Sequence, residues 1–363
     1  MNPHLQYPAD AMLIYCRAGF EGECAQDLDV LAAEGGLVGY SRAERGAGYI
    51  EFVLGEPATL DVLFDACGLQ RQVFARQALA RIATLDPLPR EDRLSPLLAS
   101  LPKGLSVCDA WVEAPDSDAG GELTALCRSF GNALVQGLKR EKRIDARSPL
   151  RLHVLFTSGQ RCIVALADVA QCAPWPQGIA RLKFPREAPS RSTLKLDEAL
   201  LVLLDEDQRT RWLQPGMSAV DLGASPGGWT WQLVRRSLRV TAVDNGPMDA
   251  ALMESGLVTH LREDGFTYRP TKFVDWLICD MVEQPRRVAD LIGQWLAQRW
   301  CQRTIFNLKL PMKKRYLEVQ ECFARMRQIV AQDGGELDIR ARQLYHDREE
   351  ITVFAQRVTR KGR

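Results

Sequence analysis

One stretch of this 363-residue chain constrains its fold more than any other, because an apolar run leads through an acidic residue and a glycine turn into a helical pattern. The stretch reads Val220-Asp221-Leu222-Gly223-Ala224-Ser225-Pro226-Gly227-Gly228-Trp229. In an open α/β sheet, such a strand, turn and helix present backbone N–H groups and a tight crevice to a nucleotide-like ligand. The sequence therefore predicts an α/β fold with a ligand-binding edge at this turn.

The residues around the turn alternate between strand and helix patterns. Apolar strand-like runs occur at 217–222, 239–243, 258–261, 273–279, 304–308, 336–341 and 351–354, and helical patterns at 196–204, 229–236, 286–300 and 314–332. Strands that alternate with helices of this length are typical of a mostly parallel, doubly wound sheet. Residues 190–363 are therefore predicted to form a Rossmann-like domain.

The N-terminal half predicts two smaller α/β units. Strand and helix patterns alternate in residues 1–84 as in a ferredoxin-like unit, and a second unit is expected over residues 85–170. Residues 171–189 contain four prolines and are predicted to be an interdomain linker.

Charge and cysteine usage narrow the class of protein. The formal net charge is +1, from 47 basic and 46 acidic side chains, so the total charge does not indicate a polyanionic partner. No apolar run approaches the roughly 18 residues of a membrane span, and neither a membrane segment nor a secretory signal is expected. The ten cysteines include no Cys-x-x-Cys pair and there are only four histidines, so we expect reduced thiols, no metal site and a cytoplasmic location.

Two carboxylates follow the strands after the glycine turn. Asp244 closes the next strand, at the position where a carboxylate binds ribose hydroxyls in nucleotide-binding α/β folds. Asp264 lies one strand later, where it is able to accept the exocyclic amine of an adenine. Each carboxylate alone is equally well explained as a helix cap or a solvated loop charge. Together with Asp221, however, they form a series of three carboxylates at successive strand ends, which favours a ligand site.

The turn also has competing interpretations. The dinucleotide fingerprint G-x-G-x-x-G is absent, since Ala224-Ser225-Pro226 replaces its second glycine, which argues against a nicotinamide oxidoreductase. A structural turn that binds no ligand, and an RNA-binding factor without catalytic activity, also fit parts of the pattern. Stabilisation by NAD(P) but not by S-adenosylhomocysteine would favour the oxidoreductase.

Charged residues end the later strands. Asp280 follows the fourth strand and Lys309 ends the fifth, whereas Cys279 is expected to point into the core. The Asn/Asp-Pro-Pro-aromatic run of amino-group methyltransferases and an exposed cysteine nucleophile are both missing after the fourth strand. Lys195, before the first helix of the domain, and Glu350, at the start of the last strand, complete a set of four charged residues.

Taken in order, these residues resemble a known family. The FtsJ-like RNA 2′-O-ribose methyltransferases have a tetrad of lysine, aspartate, lysine and glutamate and a glycine turn. This chain resembles them in the tetrad Lys195, Asp280, Lys309 and Glu350 and in the turn Asp221-Leu222-Gly223-x-x-Pro226-Gly227-Gly228-Trp229. The resemblance implies S-adenosyl-L-methionine as cofactor and Lys309, Lys195, Asp280 and Glu350 as catalytic residues. It implies a cofactor site made of Ser192, Asp221, Gly223, Ser225, Pro226, Gly227, Gly228, Asp244, Asp264 and Asp280.

The chain resembles a bacterial branch of this family over nearly its whole length. The most specific matches are the strings Ser190-Arg191-Ser192-Thr193-Leu194-Lys195-Leu196 and Phe306-Asn307-Leu308-Lys309-Leu310-Pro311. That resemblance implies 2′-O-methylation of a cytidine in 23S ribosomal RNA. It also implies a THUMP-type RNA-binding region with a ferredoxin-like part before the catalytic domain, and a monomeric protein.

Three features of this proposed site stay open at the sequence level. A ribose hydroxyl needs a base to remove its proton. Lys309 suits that role if desolvation or the nearby charge of Lys195 lowers its pKa. If the charges of Asp280 and Glu350 have the larger effect, the pKa of Lys309 is raised instead. Glu350 fits the tetrad better than Glu349, but a slip of one residue would exchange them. Ser192 fits a cofactor contact and a helix N-cap equally well by residue type.

A basic segment indicates RNA binding. Residues 139–195 contain 12 basic and 4 acidic side chains, an excess of +8 within a chain of net charge +1. Such an excess predicts a phosphate-binding track that leads to Lys195 and continues at Lys313-Lys314-Arg315, although a scattered solvated face has the same composition.

Overall fold

The computed structural model describes residues 5–358, which form two compact units that divide between Ala180 and Arg181. Each unit is built on a seven-stranded sheet with helices packed against it. The predicted α/β class is therefore confirmed for both halves of the chain.

Residues 5–180 of the first unit contain seven strands and five α-helices. The strands are β1 (Pro8–Cys16), β2 (Gly39–Ala43), β3 (Tyr49–Thr59), β4 (Ala75–Leu85), β5 (Asp109–Glu113), β6 (Leu150–Ser158) and β7 (Arg161–Asp168). The helices are α1 (Glu21–Glu34), α2 (Leu60–Cys67), α3 (Leu94–Ser100), α4 (Asp118–Gly121) and α5 (Thr124–Arg140).

One sheet runs through both of the predicted N-terminal units. Its strand order is β2-β3-β1-β4-β7-β6-β5, and only β5 and β6 pair in parallel. The two halves join where β4 pairs with β7, with Ala80 opposite Leu166. Leu13, Leu79 and Ile163 belong to one buried cluster that extends across this junction. Residues 1–84 and 85–170 thus share a sheet and a core, and Leu85 is itself the last residue of β4.

The second unit contains seven strands and six helices. The strands are β8 (Ser218–Leu222), β9 (Arg239–Val243), β10 (Val258–Leu261), β11 (Val274–Cys279), β12 (Cys301–Lys309), β13 (Glu336–Arg342) and β14 (Glu350–Val358). The helices are α6 (Thr193–Leu203), α7 (Glu206–Trp212), α8 (Gly228–Val234), α9 (Ala250–Glu254), α10 (Pro285–Ala297) and α11 (Arg315–Ala331).

The strand order of the second sheet creates a crevice at its middle. The order is β10-β9-β8-β11-β12-β14-β13, with β14 antiparallel to its two neighbours and the other pairs parallel. From β8 the chain first moves outward through β9 and β10, then returns to β11 on the other side of β8. Ligands of open α/β sheets bind at such a reversal of strand order, outside the carboxyl ends of the strands. The reversal here lies between β8 and β11.

Apolar packing holds the edge of this crevice in place. Trp276 and Phe354 are buried in one cluster with Leu200 of α6 and Trp229 of α8, so these helices cover one face of the sheet. The longer helix α10 packs against β12 and against α11. Trp229 is 2% exposed and packs its helix against the sheet.

Candidate active site

Four charged side chains meet at the carboxyl edge of the second sheet. Lys195 projects from the first turn of α6, and Asp280 follows the last residue of β11. Lys309 is the last residue of β12, and Glu350 is the first residue of β14. Because β14 runs antiparallel to β12, its beginning lies beside the end of β12 and brings Glu350 to the same edge.

In this cluster, each carboxylate contacts both amines. Lys309 Nζ lies 2.5 Å from Asp280 Oδ1 and also donates to Glu350 Oε2. Lys195 Nζ lies 3.5 Å from Asp280 Oδ2 and pairs with Glu350 Oε1. Cations and anions therefore alternate around a closed set of four charges, each 7–22% exposed at the side chain.

Burial and charge act on Lys309 in opposite directions. Desolvation of the amine favours its neutral form, but the charges of Asp280 and Glu350 outweigh it, so the pKa of Lys309 is raised above its ordinary value. The carboxylates thus dominate over the repulsion from Lys195, which would have lowered the pKa. Lys309 therefore carries a proton at neutral pH.

A second, uncharged layer of polar side chains lies behind this cluster. Asn307 Nδ2 donates to Asp280 Oδ1 at 2.9 Å, and the Thr352 hydroxyl lies 2.7 Å from Asn307 Oδ1. Asp347 contacts the same hydroxyl, with Oδ1 at 3.1 Å and Oδ2 at 3.0 Å. None of these three side chains stands out in the sequence, where Asn307 belongs to an apolar run and Asp347 to a run of charged residues.

The predicted glycine turn follows β8 and enters α8. Gly223 and Gly227 have φ angles of +77° and +118°, a region that strongly favours glycine. A Cβ atom on Gly223 would come within 2.6 Å of Met281 Cγ, so the turn lies directly against the loop that follows Asp280. The turn and the charged cluster therefore share one edge of the crevice.

Ser192 lies beside the start of α8. A Cβ atom on Gly228 would come within 2.2 Å of Ser192 Oγ, whose neighbour Ser190 Oγ is 2.7 Å away. The Ser192 side chain makes no capping hydrogen bond to α6, although it occupies the N-cap position. Ser192 therefore occupies the N-cap position of α6 without capping the helix through its side chain.

Asp244 follows β9 and lies against the same turn. Its Oδ2 accepts the N–H of Ser225 at 3.0 Å, and its Oδ1 accepts the N–H of Gly246 at 2.7 Å. Each oxygen keeps a second lone pair for a hydroxyl donor. Asp264 is exposed one strand farther out, where its Oδ1 accepts the Phe266 N–H at 2.9 Å.

Asp221 differs from the other carboxylates because it is 1% exposed. Its Oδ2 accepts the Thr230 hydroxyl at 2.6 Å. Burial raises the pKa of Asp221 to about 7, with a further contribution from the charge of Asp280. Cys279 is also fully buried, and desolvation raises the pKa of its thiol to about 12, so it is inert as a nucleophile.

Another buried carboxylate shapes the loop before β14. Glu198 accepts the backbone N–H groups of Tyr345 and His346 at 2.8 and 2.9 Å, and its Oε2 lies 2.7 Å from His346 Nδ1. No motif in the sequence indicates this partner for His346. In the structure, the contact joins α6, which carries Lys195, to the loop that leads to Glu350.

The basic residues of the segment 139–195 differ in environment. In the first unit, Arg143 pairs with Glu141, Arg147 pairs with Asp145, and Arg151 lies 3.8 Å from the ring centre of Trp111. In the second unit, the exposed basic residues of the eleven positions 181–191 are Arg181, Lys183, Arg186 and Arg191. Beyond this segment, Arg315 forms an ion pair with Glu349, so part of its charge is balanced within the protein.

Residues 5–358 contain neither a metal-binding cluster nor a membrane-spanning helix. No group of three or more His, Cys, Asp or Glu side chains in that range is arranged to bind a metal ion. None of the helices described there has the length and apolar character needed to cross a bilayer.

Sequence profiles of three protein families match this chain. Residues 10–79 match the RlmM ferredoxin-like domain, and residues 92–168 match the N-terminal region of ribosomal RNA large subunit methyltransferase M. Residues 188–345 match the FtsJ-like methyltransferase family. The three matches follow one another along the chain without overlap.

Proteins similar over nearly the full length are found in Xanthomonas species. Ribosomal RNA large subunit methyltransferase M of Xanthomonas oryzae pv. oryzae is 52% identical over 352 residues, which cover 95% of this chain and 99% of that protein. The protein of the same name from Xanthomonas axonopodis pv. citri is also 52% identical with the same coverage. Among solved structures, TrmN from Thermus thermophilus has a TM-score of 0.36 and 16% identity, covering 96% of this chain and 99% of that one.

Proposed function

Because this chain belongs to the ribosomal RNA large subunit methyltransferase M family, we propose that it methylates the 2′-oxygen of a cytidine ribose in 23S ribosomal RNA. The observation that carries the proposal is the alternating cluster of Lys195, Asp280, Lys309 and Glu350 at the carboxyl edge of the sheet. A nicotinamide oxidoreductase has no use for such a cluster. An RNA-binding factor without catalytic activity does not require such a cluster.

The residues beside the cluster fit S-adenosyl-L-methionine, which supplies an electrophilic methyl group when bound. Asp244 offers carboxylate lone pairs to vicinal hydroxyls at the end of β9. Gly223 and Gly227 have positive φ angles that favour glycine, and they turn the chain from β8 into α8 beside this site. Asp264 is exposed and suited to an adenine amine, and Ser192 faces the turn at Gly228.

The remaining members of the proposed cofactor site line the same turn. Backbone groups and small side chains are contributed by Ser225, Pro226, Gly227 and Gly228, and a carboxylate is contributed by Asp280. Asp221 is too buried to reach a ligand through solvent, so we assign it to the support of the turn through Thr230.

We assign the proton transfer to Lys309. A ribose hydroxyl becomes nucleophilic as its proton passes to a base, and an amine serves as that base only in its neutral form. Since Asp280 and Glu350 raise the pKa of Lys309, the neutral amine is a minor form at neutral pH, and the rate should rise with pH. Lys195 also pairs with Asp280 and Glu350, so the two carboxylates interact with two amines rather than with Lys309 alone.

RNA recognition is assigned to two parts of the chain. Residues 1–84 are proposed to be a ferredoxin-like unit and residues 85–170 a THUMP-type RNA-binding unit, which the family matches at 10–79 and 92–168 support in position. Exposed cations at Lys183, Arg186 and Arg191 supply phosphate contacts in the segment before α6.

The same proposal covers the assembly and the location of the protein. All four charged residues of the cluster come from one chain, so a monomer is sufficient for the reaction. The protein is proposed to act in the cytoplasm, where 23S ribosomal RNA is found, and the reaction is proposed to need no metal.

Replacement of Lys309 tests the proposed function. Lys309→Met keeps the apolar stem without the amine, and methylation of 23S ribosomal RNA should fall by roughly 10²- to 10⁴-fold. Lys309→Arg keeps a positive charge that does not deprotonate in a protein, so a base role should not be rescued. Binding of S-adenosylhomocysteine, measured by calorimetry, should survive in both variants.

Two results would contradict this assignment. Near wild-type methylation by the folded Lys309→Arg variant would show that Lys309 acts only through its charge. Stabilisation of the wild-type protein by NAD(P), without stabilisation by S-adenosylhomocysteine, would instead favour the oxidoreductase.

A further inference from the structure

The inner polar layer behind the charged cluster follows the strand register. Lys309 lies opposite Glu350, and two residues farther into the sheet Asn307 lies opposite Thr352. Side chains two residues apart on a strand point to the same face. The charged pair at the edge is therefore backed by an uncharged polar pair, and both Asn307 and Thr352 are 0% exposed.

The direction of each hydrogen bond in this layer is determined by its chemistry. The Asp280 oxygens face two lysine amines, which only donate hydrogen bonds, so Asp280 acts as an acceptor here. The amide nitrogen of Asn307 must then face Asp280, at 2.9 Å, which turns the amide oxygen toward Thr352. The single hydroxyl proton of Thr352 is needed for that oxygen, 2.7 Å away.

Asp347 must therefore supply a proton of its own. Its carboxyl oxygens lie 3.0 and 3.1 Å from the Thr352 hydroxyl, whose proton is already engaged with Asn307. Asp347 Oδ2 also accepts the Leu344 N–H at 3.0 Å. Desolvation by burial raises the pKa of Asp347 well above its ordinary value, with a smaller contribution from Glu350, in agreement with a neutral acid.

We propose that Asn307 is a positioning residue for methyl transfer, held by Thr352 and a protonated Asp347 so that Asp280 Oδ1 stays beside Lys309 Nζ. This inference rests on the proposed function of Lys309. The hydrogen bonds run in one direction, from Asp347 to Thr352, then to Asn307 and finally to Asp280. If Asp347 were ionised, it would take the Thr352 proton and leave two oxygen lone pairs facing each other at 2.7 Å.

The Thr352 hydroxyl provides the first test, in the full-length enzyme. Thr352→Val removes the hydroxyl at nearly constant volume, and Thr352→Ser keeps it. For Thr352→Val we expect kcat to fall by roughly 10- to 100-fold, as for a misplaced catalytic group, with KM for the RNA and affinity for S-adenosylhomocysteine unchanged. Thr352→Ser should recover most of the lost kcat. Equal kcat for Thr352→Val and the wild type, or a change in KM alone, would overturn the proposal.

Asp347 provides a second test that does not depend on the folding of the first variants. Asn is a neutral donor of the same shape as the protonated acid, so Asp347→Asn should be roughly 10-fold or more faster than Asp347→Ala, which lacks any donor. Equal rates for the two variants would show that a hydrogen-bond donor at this position does not support methyl transfer and would overturn the proposed direction. The activity of Lys309→Met tests the role of Lys309 as the base and not the hydrogen bonds of the inner layer. A failure of the proposed base role is therefore distinguishable from a failure of the proposed positioning role of Asn307.

Discussion

Glu349 and Glu350 are adjacent in the chain, but their carboxylates face different partners. Glu350 is 7% exposed at its side chain and pairs with Lys309 and Lys195, whereas Glu349 is 57% exposed and pairs with Arg315. Glu350 is the first residue of β14, whereas Glu349 belongs to the bend before the strand, so the two side chains project in different directions. Glu350 therefore occupies the position in the cluster that the sequence left open between them.

This pair provides a matched test of the pH dependence. Glu350→Gln removes one of the negative charges that raise the pKa of Lys309, so the neutral amine should form at lower pH. The ascending limb of kcat against pH should move to lower pH by roughly one unit, with a lower maximum because a contact is lost. Glu349→Gln should leave the limb in place. A shift to higher pH in Glu350→Gln would contradict the assignment of Lys309 as the base.

The buried Asp221 should make stability depend on pH. Its folded pKa of about 7 is above the ordinary value of 3.8, so the folded protein keeps a proton that the unfolded chain releases between these pH values. Stability contributed by the neutral acid is therefore lost as the pH rises from about 4 to about 7. Asp221→Asn keeps an acceptor for Thr230 without an ionising group. In urea unfolding without ligand, the variant should gain on the order of 3 kcal/mol relative to wild type between pH 5 and pH 8.

The contradicting outcome for Asp221 is a variant whose stability relative to wild type is the same at both pH values. Exposed Glu254 lies in the same unit, and Glu254→Gln serves as the control for effects of carboxylate removal in general.

Asp244 is expected to bind the cofactor. Asp244→Ala removes an acceptor for ribose hydroxyls and also releases the Ser225 and Gly246 N–H groups, which it holds in the structure. Affinity for S-adenosyl-L-methionine should fall by roughly 1.5–3 kcal/mol, as for a lost hydrogen bond to a charged group. Calorimetry measures the loss, and Glu254→Ala should bind normally. Unchanged affinity in Asp244→Ala would remove this residue from the cofactor site.

The two units should divide the work of the enzyme. A fragment of residues 181–363 contains the complete second sheet and all four residues of the charged cluster. It should keep its affinity for S-adenosylhomocysteine but methylate 23S ribosomal RNA poorly. RNA binding by the full chain should weaken steeply as salt rises, because phosphate contacts release counterions. Full activity of the fragment would contradict the assignment of RNA recognition to the first unit.

The strands that were predicted well are those with strong local patterns. The buried runs at β8, β9 and β11 have apolar residues at most positions, and the glycine turn after β8 has a sequence that few other structures tolerate. In contrast, β2 has no buried residue, and as an exposed edge strand it lacks a recognisable pattern. The short helices α7 and α9 were also missed, since five to seven residues carry little periodicity.

The site was predictable to the extent that its residues lie at strand ends. Charged residues that follow apolar strands are visible in a sequence, and their order resembles a family. The inner layer was not predictable, since the pairing of Asn307 with Thr352 depends on the register between two strands that are distant in the chain. Asp347 looks like a solvated charge among its charged neighbours, and only the fold shows that it is 1% exposed.

The pairing of β4 with β7 limits how the N-terminal half can be divided or exchanged. A cut between residues 84 and 85 would leave an interior strand on each side with unpaired backbone groups and bare apolar surface. Such edges recruit other chains and lead to aggregation. The two parts that match separate family profiles are therefore expected to fold only as one piece.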